Sequence, residues 1–174
     1  MTIRSSLTAV ASLVRDSPAC PRWQARCKEA RGLKIVSPRE MYVYQVNRLP
    51  WPIANRDVVA HVRWRQDPDT LAVYMTATSV TGMFPPQKGL VRVPEADTHW
   101  TFYPKGEGKV EVITETHVDP GGPIPAWFVN MMMVSLPYKT MENMRRIVAT
   151  GAYNDAKIGF IKEPVSSDKT QQPD

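Results

Sequence analysis

The sequence predicts an α+β fold, with one long helix laid across an antiparallel sheet. Three observations predict it. The chain has 174 residues, enough for one domain; 43% are hydrophobic and 22% charged, as in a protein with a packed core; and the pattern reads as a short helix, a run of hairpins and a long helix. We expect the domain to span residues 1–163 and the polar, proline-containing residues 164–174 to form a disordered tail.

The N-terminal segment predicts an amphipathic helix from Ser6 to Arg15 that ends before Pro18. Its apolar stretch is too short and too broken for a secretory signal. Cys20 and Cys27 are the only cysteines, and their spacing fits no zinc or redox motif. We therefore expect two reduced, partly buried thiols.

A run of strand-like segments follows. The clearest alternation places Val58, Ala60, Val62 and Trp64 on one face of a strand, and Val59, His61, Arg63 and Arg65 on the other. The other predicted strands are Cys27 to Val36, Glu40 to Asn47, Leu71 to Ser79, Leu90 to Val93, Trp100 to Tyr103 and Lys109 to Val118. Short turn sequences between several of them indicate hairpins.

The C-terminal region predicts one helix from Pro125 to Thr150, capped by Gly151. Pro137 lies inside it and should kink the helix or leave one carbonyl unpaired. An apolar stripe recurs at intervals of three and four residues: Met133, Leu136, Thr140, Met144 and Ile147. This stripe predicts the face of the helix that lies on the sheet.

Signatures of catalysis are sparse. His61, His99 and His117 lie far apart in predicted strands, and no glycine-rich phosphate loop, nucleophile elbow or dinucleotide fingerprint occurs. Arg56 and Asp57 are interpreted as an ion pair that fastens a loop to a strand. No metal site and no cofactor are predicted. The net charge of +5 is modest, and Trp64 faces away from its basic neighbours, so we expect no nucleic-acid binding.

Two interpretations of the methionine-rich helix stay open. Met131, Met132, Met133, Met141 and Met144 either fill a core or line a cavity that repacks around a ligand. An apolar loop, Met83 to Pro86, favours the cavity, because a lid over a hydrophobic hole has this composition. The pairs Trp51-Pro52 and Trp127-Phe128 would border its entrance.

An ordered set of motifs resembles a known family. The set comprises Leu49-Pro50-Trp51-Pro52, Asn55-Arg56-Asp57, Pro86-Gln87-Lys88-Gly89-Leu90-Val91-Arg92, Trp100, Val118-Asp119-Pro120-Gly121-Gly122 and Pro125-Ala126-Trp127-Phe128-Val129-Asn130. In order and spacing it resembles the START domain, the steroidogenic-acute-regulatory-related lipid-transfer domain, in its bacterial form. The resemblance covers about Leu7 to Val148. It implies a helix-grip fold: a curved antiparallel sheet around the C-terminal helix, with a tunnel that holds one lipid such as a sterol or phospholipid.

The resemblance also implies a set of ligand-binding residues. Phe84 and Pro85 would form the lid, and the helix stripe would line the tunnel. Some family members carry a buried acid–base pair, but no carboxylate occurs between Met41 and Asn47, so tyrosine, Gln45 or Arg92 would do the polar work. The expected ligand-binding residues are Tyr42, Tyr44, Phe84, Pro85, Arg92, Trp100, Trp127, Met133, Leu136, Thr140 and Met144.

The chain departs from the family at its start. Family members usually carry a helix and about three strands before the segment at Ser6, so the domain reads as lacking its N-terminal third. A sheet without those strands exposes unpaired backbone groups and opens one tunnel wall. We expect either self-association along that edge or a leaky cavity.

The resulting expectation is a carrier of a hydrophobic small molecule or lipid, with no enzymatic activity and with transient contact with a membrane surface. One alternative is a cyclase- or hydrolase-like enzyme that acts in the same cavity through His117, Glu115 or His61. Another is a protein that binds a protein partner through the open edge. We expect a cytoplasmic location, or a periplasmic one if a signal sequence precedes this chain.

Overall fold

A computed structural model describes residues 1–165, and its central element is a curved sheet of eight strands. The strands are β1 (Thr2–Arg4), β2 (Cys27–Ser37), β3 (Glu40–Asn47), β4 (Arg56–Gln66), β5 (Val73–Ser79), β6 (Val91–Arg92), β7 (Glu95–Pro104) and β8 (Lys109–Asp119). The helices are α1 (Leu7–Arg15), α2 (Cys20–Trp23), α3 (Ala126–Met133) and α4 (Ser135–Ala149), with a 3-10 turn at Ser17–Ala19. The predicted α+β class is confirmed. The tail predicted for residues 164–174 lies, from residue 166 onward, outside the described residues.

The strands follow the order β1-β8-β7-β5-β4-β3-β2, and all neighbours along this path are antiparallel. The short strand β6 pairs in parallel with the start of β4. The hairpins predicted between β2 and β3, β4 and β5, and β7 and β8 are all present. The sheet ends at β1 on one side and β2 on the other.

Helix α1 lies where the sequence predicts it. The Ser6 hydroxyl caps the helix by accepting a hydrogen bond from the Ala9 amide. The carboxylate of Glu163 accepts hydrogen bonds from the Leu7 and Thr8 amides at 3.0 and 2.6 Å, so a negative charge also satisfies the positive end of the helix. Its apolar face is buried in the main core together with β7, β8 and α4.

The predicted single C-terminal helix is two helices. Val134, with φ of −117° and ψ of −59°, separates α3 from α4. Pro137 lies in the first turn of α4 and has no N–H, so the carbonyl of Met133 loses its helical donor there. The proline therefore breaks the helix instead of kinking it. Gly151 ends α4 with a φ of +76°, as predicted for a C-cap glycine.

The prediction of free thiols is wrong, because Cys20 and Cys27 form a disulfide. Cys20 begins α2 and Cys27 begins β2, and the chain reverses between them at Arg26, whose φ is +69°. The reversal brings the two Cα atoms to 6.0 Å, within the range a disulfide needs. The sequence spacing alone does not reveal this reversal.

Apolar side chains pack on both faces of the sheet. The main core lies on the concave face, between the sheet and helices α1 and α4. A smaller cluster on the convex face contains Tyr44, Val46 and Val59, with Phe84 from the loop after β5 packed against them. Among the described residues, no helix is both long and apolar enough to cross a membrane.

Candidate functional site

A cavity of about 850 Å³ lies between the concave face of the sheet and helices α2, α3 and α4. Strand β4 lines it with Val58, Ala60, Val62 and Trp64, the face that the alternation predicts. Neighbouring strands add small or apolar side chains such as Val43, Met75 and Ala77. The cavity interpretation of the helix is thus correct for part of the methionine cluster, since Met132 and Met133 line it.

The structure brings four of the eleven predicted residues to the cavity wall: Trp100, Met133, Leu136 and Thr140. The wall does not include Tyr42, Tyr44, Phe84, Pro85, Arg92, Trp127 or Met144. Met144 belongs to the predicted helix stripe but is fully buried in the core further along α4. Trp127 is 53% exposed beside Phe128, which is the member of that pair in the cavity wall.

Strand β3 presents the opposite face from the one the prediction favoured. Met41, Val43, Gln45 and Asn47 line the cavity, so the tyrosines between them point to the convex face. There the Tyr44 and Phe84 ring centroids lie 4.7 Å apart, and Tyr42 stacks on His61. Both faces of β3 carry apolar or aromatic residues, so the alternation alone does not identify the cavity side.

Asp57 and Arg92 form a buried ion pair beneath Tyr44 on the convex face. Asp57 has no exposed surface and accepts hydrogen bonds from Arg92 Nε at 2.9 Å, from Arg92 Nη2 at 3.0 Å and from the Tyr44 hydroxyl at 3.1 Å. Burial, followed by the hydrogen bond to the Asp57 carboxylate, raises the pKa of Tyr44 to about 12. The predicted Arg56–Asp57 pair is wrong, because adjacent strand residues point to opposite faces.

The loop predicted to be a lid is fastened to the convex face. Arg92 donates to the carbonyl oxygens of Phe84 and Pro85 at 3.1 and 3.2 Å. The guanidinium of Arg31 lies 5.3 Å from the Phe84 ring centroid and 5.4 Å from that of Tyr44. This loop therefore covers the outside of the sheet, and the expectation of a lid at the cavity entrance is wrong.

Arg56 is a cavity-wall residue that the sequence reasoning did not assign. Its side chain is buried, and it donates to three backbone carbonyls, those of Ala54, Pro120 and Gly121. Desolvation lowers the pKa of Arg56 from its ordinary value. The signal was available, because Arg56 shares a strand face with Val58 and Ala60.

Polar groups gather at this end of the cavity. Arg26 and Arg48 are exposed wall residues joined by a backbone hydrogen bond of 2.8 Å, and the Gln45 amide donates to Asn47 Oδ1 at 2.8 Å. Asn47 lies opposite Arg56 in the β3–β4 register. No salt bridge of at most 4.0 Å joins any of the three arginines to a carboxylate within residues 1–165.

The opposite end of the cavity is aromatic. Trp23 and Trp100 meet edge to face at 5.8 Å, and Trp64 stacks on Phe102 at 6.2 Å. Arg15 lies at this end, where it donates to the carbonyl of Pro38 in the β2–β3 turn. The sequence reasoning identified Trp100 but missed Trp23 and Trp64 as wall residues.

The catalytic candidates do not form a constellation. His61 lies on the convex face with its Nε2 2.6 Å from Glu40, and His117 is the histidine that borders the cavity. Asp16, also in the wall, accepts a hydrogen bond from the Tyr153 hydroxyl at 2.8 Å. Within the described part of the chain, no group of three or more histidine, cysteine or acidic side chains is placed to hold a metal ion.

Comparison with known proteins points to lipid-transfer proteins. The crystal structure of a STAR-related lipid transfer protein fragment from Xanthomonas axonopodis superposes with a TM-score of 0.76 at 31% identity, over 86% of this chain and 82% of that one. An uncharacterized Pseudomonas aeruginosa protein is 31% identical over 82% of this chain and 70% of its own length. Phosphatidylcholine transfer protein from Bos taurus is 30% identical over 52% of this chain but only 44% of its own length.

The fold is also found in enzymes. The aromatase/cyclase StfQ superposes with a TM-score of 0.51 at 17% identity, a likeness that shows the shared fold alone. The family model for the START domain, by contrast, matches residues 2–157, nearly the whole described chain. With its eight-stranded curved sheet, its C-terminal helices and the cavity between them, this chain belongs to the START domain family.

Proposed function

We propose that this protein binds one hydrophobic ligand, such as a sterol or a phospholipid, in the cavity and transfers it without catalysing a reaction. The observation that carries this proposal is the cavity of about 850 Å³, lined along the sheet by Val58, Ala60, Val62 and Ala77. Its volume lies within the range of about 300–1,000 Å³ that is common for small-molecule sites. Burying roughly 300 Å² of apolar ligand surface supplies on the order of 7 kcal/mol before losses, which corresponds to a Kd of roughly 10 μM, and a ligand that buries more surface binds more tightly.

The cavity wall also orients the ligand in this proposal. Arg26, Arg48 and Arg56 lie at one end together with the amides of Gln45 and Asn47. All three guanidinium groups are donors that lack a carboxylate partner within residues 1–165. The ligand therefore places a polar or anionic head at this end and its apolar part toward the tryptophans.

Exposed apolar side chains surround the same end and support transient contact with a membrane. Trp51 is 91% exposed, and it shares its loop with Leu49, which is a wall residue. Met133 and Val134 are 74% and 72% exposed at the break between α3 and α4. Such residues gain from insertion into a lipid surface, where the ligand would be loaded.

Mass spectrometry of an organic extract of the purified protein tests the carrier proposal directly. A co-purifying lipid in roughly equimolar amount supports it. Ala60→Phe fills the cavity from the centre of β4 and should abolish ligand uptake, measured as quenching of the wall tryptophans by an added lipid. Arg63→Phe is the matched control, because it adds the same ring on the exposed opposite face of β4. Equal uptake by both variants would contradict the proposal.

Sedimentation with vesicles tests the membrane contact. Trp51→Ser should reduce binding to vesicles of phosphatidylcholine and phosphatidylglycerol. Ile35→Ser is the control, because Ile35 is also exposed, at 76%, but lies at the far end of the β2–β3 hairpin. Equal losses in both variants would show that this loop is not the contact surface.

The enzymatic alternative rests on His117, which contributes to the border of the cavity, although strand alternation directs its side chain to the face opposite Thr116 and Val118. Turnover of an aromatic or ester substrate that is lost in His117→Ala would favour it.

The cytoplasmic location stays a prediction. Disulfides persist mainly in oxidising compartments. If Cys20 and Cys27 resist an alkylating reagent added to intact cells, because they are already joined in the disulfide, a periplasmic location would be favoured instead.

A further inference from the structure

Charge is distributed unevenly along the cavity wall. Among the described residues, its charged side chains comprise one carboxylate, that of Asp16, and four arginines: Arg15, Arg26, Arg48 and Arg56. Asp16 follows Arg15 at the aromatic end, where it accepts a hydrogen bond of 2.8 Å from a tyrosine hydroxyl outside the wall. The other end, which we call the arginine end, holds Arg26, Arg48 and Arg56 and no described carboxylate.

Three neighbouring strands bring these arginines together. Cys27, Asn47 and Arg56 form one row across the ends of β2, β3 and β4. Arg26 precedes Cys27, Arg48 follows Asn47, and the Arg48 amide donates to the Arg26 carbonyl at 2.8 Å. Because neighbouring strands lie about 4.8 Å apart, the row spans only about 10 Å. Three guanidinium groups on side chains of this length can therefore meet on a single group of a ligand.

Arg56 is the buried member of the arginine end. It is only 4% exposed, and three of its five N–H groups donate to backbone carbonyls. Carbonyl dipoles solvate a cation but leave its charge uncompensated. Arg92 on the convex face provides the contrast: its hydrogen bond with Asp57 raises its pKa, whereas desolvation alone lowers the pKa of Arg56. A buried cation of this kind is stabilised by an anion placed beside it.

Arg26 and Arg48 form the outer part of the arginine end. Both residues are exposed, and Arg26 Nη2 lies 4.0 Å from Met131 Sδ, so this guanidinium reaches from the sheet to α3. The side-chain oxygen of Asn47 accepts a hydrogen bond from Gln45, so Asn47 offers a ligand the N–H donors of its amide. The charged and the neutral groups of this end therefore present donors, which fit a head rich in acceptor oxygens.

We propose that the arginine end selects a ligand with an anionic head, a carboxylate or a phosphate, which Arg26 and Arg48 bind while the apolar tail extends along β4 toward Trp64. This inference rests on the proposed carrier function and narrows its ligand to anionic amphiphiles. The planar guanidinium matches the oxygen atoms of both head groups. Charge-assisted hydrogen bonds of this kind are roughly twice as strong as neutral ones.

The same donors discriminate against other head groups. A hydroxyl head, as in a sterol or a fatty alcohol, accepts hydrogen bonds but neutralises none of the three charges. A quaternary ammonium head is favoured by an aromatic face, but the wall tryptophans Trp23, Trp64 and Trp100 lie at the opposite end. The expected order of affinity is therefore anionic, then neutral, then cationic.

Isothermal titration calorimetry with ligands of equal tail length tests this selection. Decanoate, decyl phosphate, decanol and decyltrimethylammonium are added as monomers to the full chain, without vesicles, so that contact with a membrane surface does not contribute. We expect decanoate and decyl phosphate to bind on the order of tenfold more tightly than decanol. The difference should shrink as the salt concentration rises, because two of the three arginines are exposed.

Paired charge variants locate the head. The double variant Arg26→Gln/Arg48→Gln should bring the affinity for both anions close to that for decanol. The double variant Arg63→Gln/Arg65→Gln removes the same charge from the exposed outer face of β4 and should keep the difference. Equal losses in the two double variants would overturn the inference, because they would reflect net charge alone.

Two further outcomes separate this inference from the carrier proposal. Equal affinity of the unaltered chain for decanoate and decanol would overturn the anionic head and leave the carrier proposal standing. Absence of binding by all four ligands would overturn both. Ala60→Phe should abolish decanoate binding, since it fills the cavity. Decanoate that binds this variant undiminished would be held outside the cavity, and the inference would be wrong.

Discussion

Replacement of Asp57 tests the buried ion pair that fastens the loop after β5. Asp57→Asn keeps the shape of the side chain but removes the charge, and it turns one acceptor oxygen into a donor that faces Arg92 or Tyr44. At least one of the three hydrogen bonds onto Asp57 is lost, and the guanidinium of Arg92, only 20% exposed, keeps a charge without a partner. Breaking such a pair costs about 3 kcal/mol of the free energy of unfolding.

Urea unfolding followed by circular dichroism measures this loss. Glu111→Gln is the control, because it breaks the Lys105–Glu111 pair, whose side chains are 51% and 33% exposed, and solvent screening should make its cost much smaller than that of Asp57→Asn. Trypsin should also cut faster at Lys88 in Asp57→Asn, since Arg92 holds the loop through the Phe84 and Pro85 carbonyls. A loss below about 1 kcal/mol in Asp57→Asn would refute the reasoning.

Three further predictions concern other contacts. The pKa values of Tyr44 and Tyr153 are raised to about 12, so both tyrosines should ionise well above pH 10 in an absorbance titration, and Tyr44→Phe should remove one of these late ionisations. Their hydrogen bonds contribute to stability below pH 10, and this contribution is lost as the pH rises toward 12. Reduction of the Cys20–Cys27 disulfide should lower the free energy of unfolding by about 2–3 kcal/mol, measured by urea unfolding with and without a reductant; no change would contradict it. Thr140→Val removes the acceptor of a 3.0 Å hydrogen bond from the backbone at residue 25 and should cost about 1 kcal/mol and speed amide exchange there.

The sequence predicted the sheet well where one face is clearly apolar. On β4, the alternation from Val58 to Trp64 identified the cavity side, because Arg63 and Arg65 mark the exposed side. On β3, both faces carry apolar or aromatic residues, and the loop that buries Tyr44 comes from a distant part of the chain. Periodicity alone therefore could not predict which face of β3 meets the cavity.

The helix stripe shows the same limit. Periodicity grouped Leu136, Thr140 and Met144 on one face of α4, whereas Met133 lies across the break in α3. That face meets the cavity at its first part and the packed core at Met144, because α1 and α4 come together there. A repeat of three and four residues reports that a face is covered, not what covers it.

The break at Val134 divides the C-terminal helical segment into two helices that differ in how much of each is buried. Helix α4 is fixed by Met144 in the core and by Asn143, whose amide donates to the Trp23 carbonyl at 3.2 Å. Helix α3 inserts one fully buried side chain, Phe128, and its last residue, Met133, is 74% exposed. In the proposed carrier, displacement of α3 alone would therefore open the cavity wall while α4 and the sheet keep their packing.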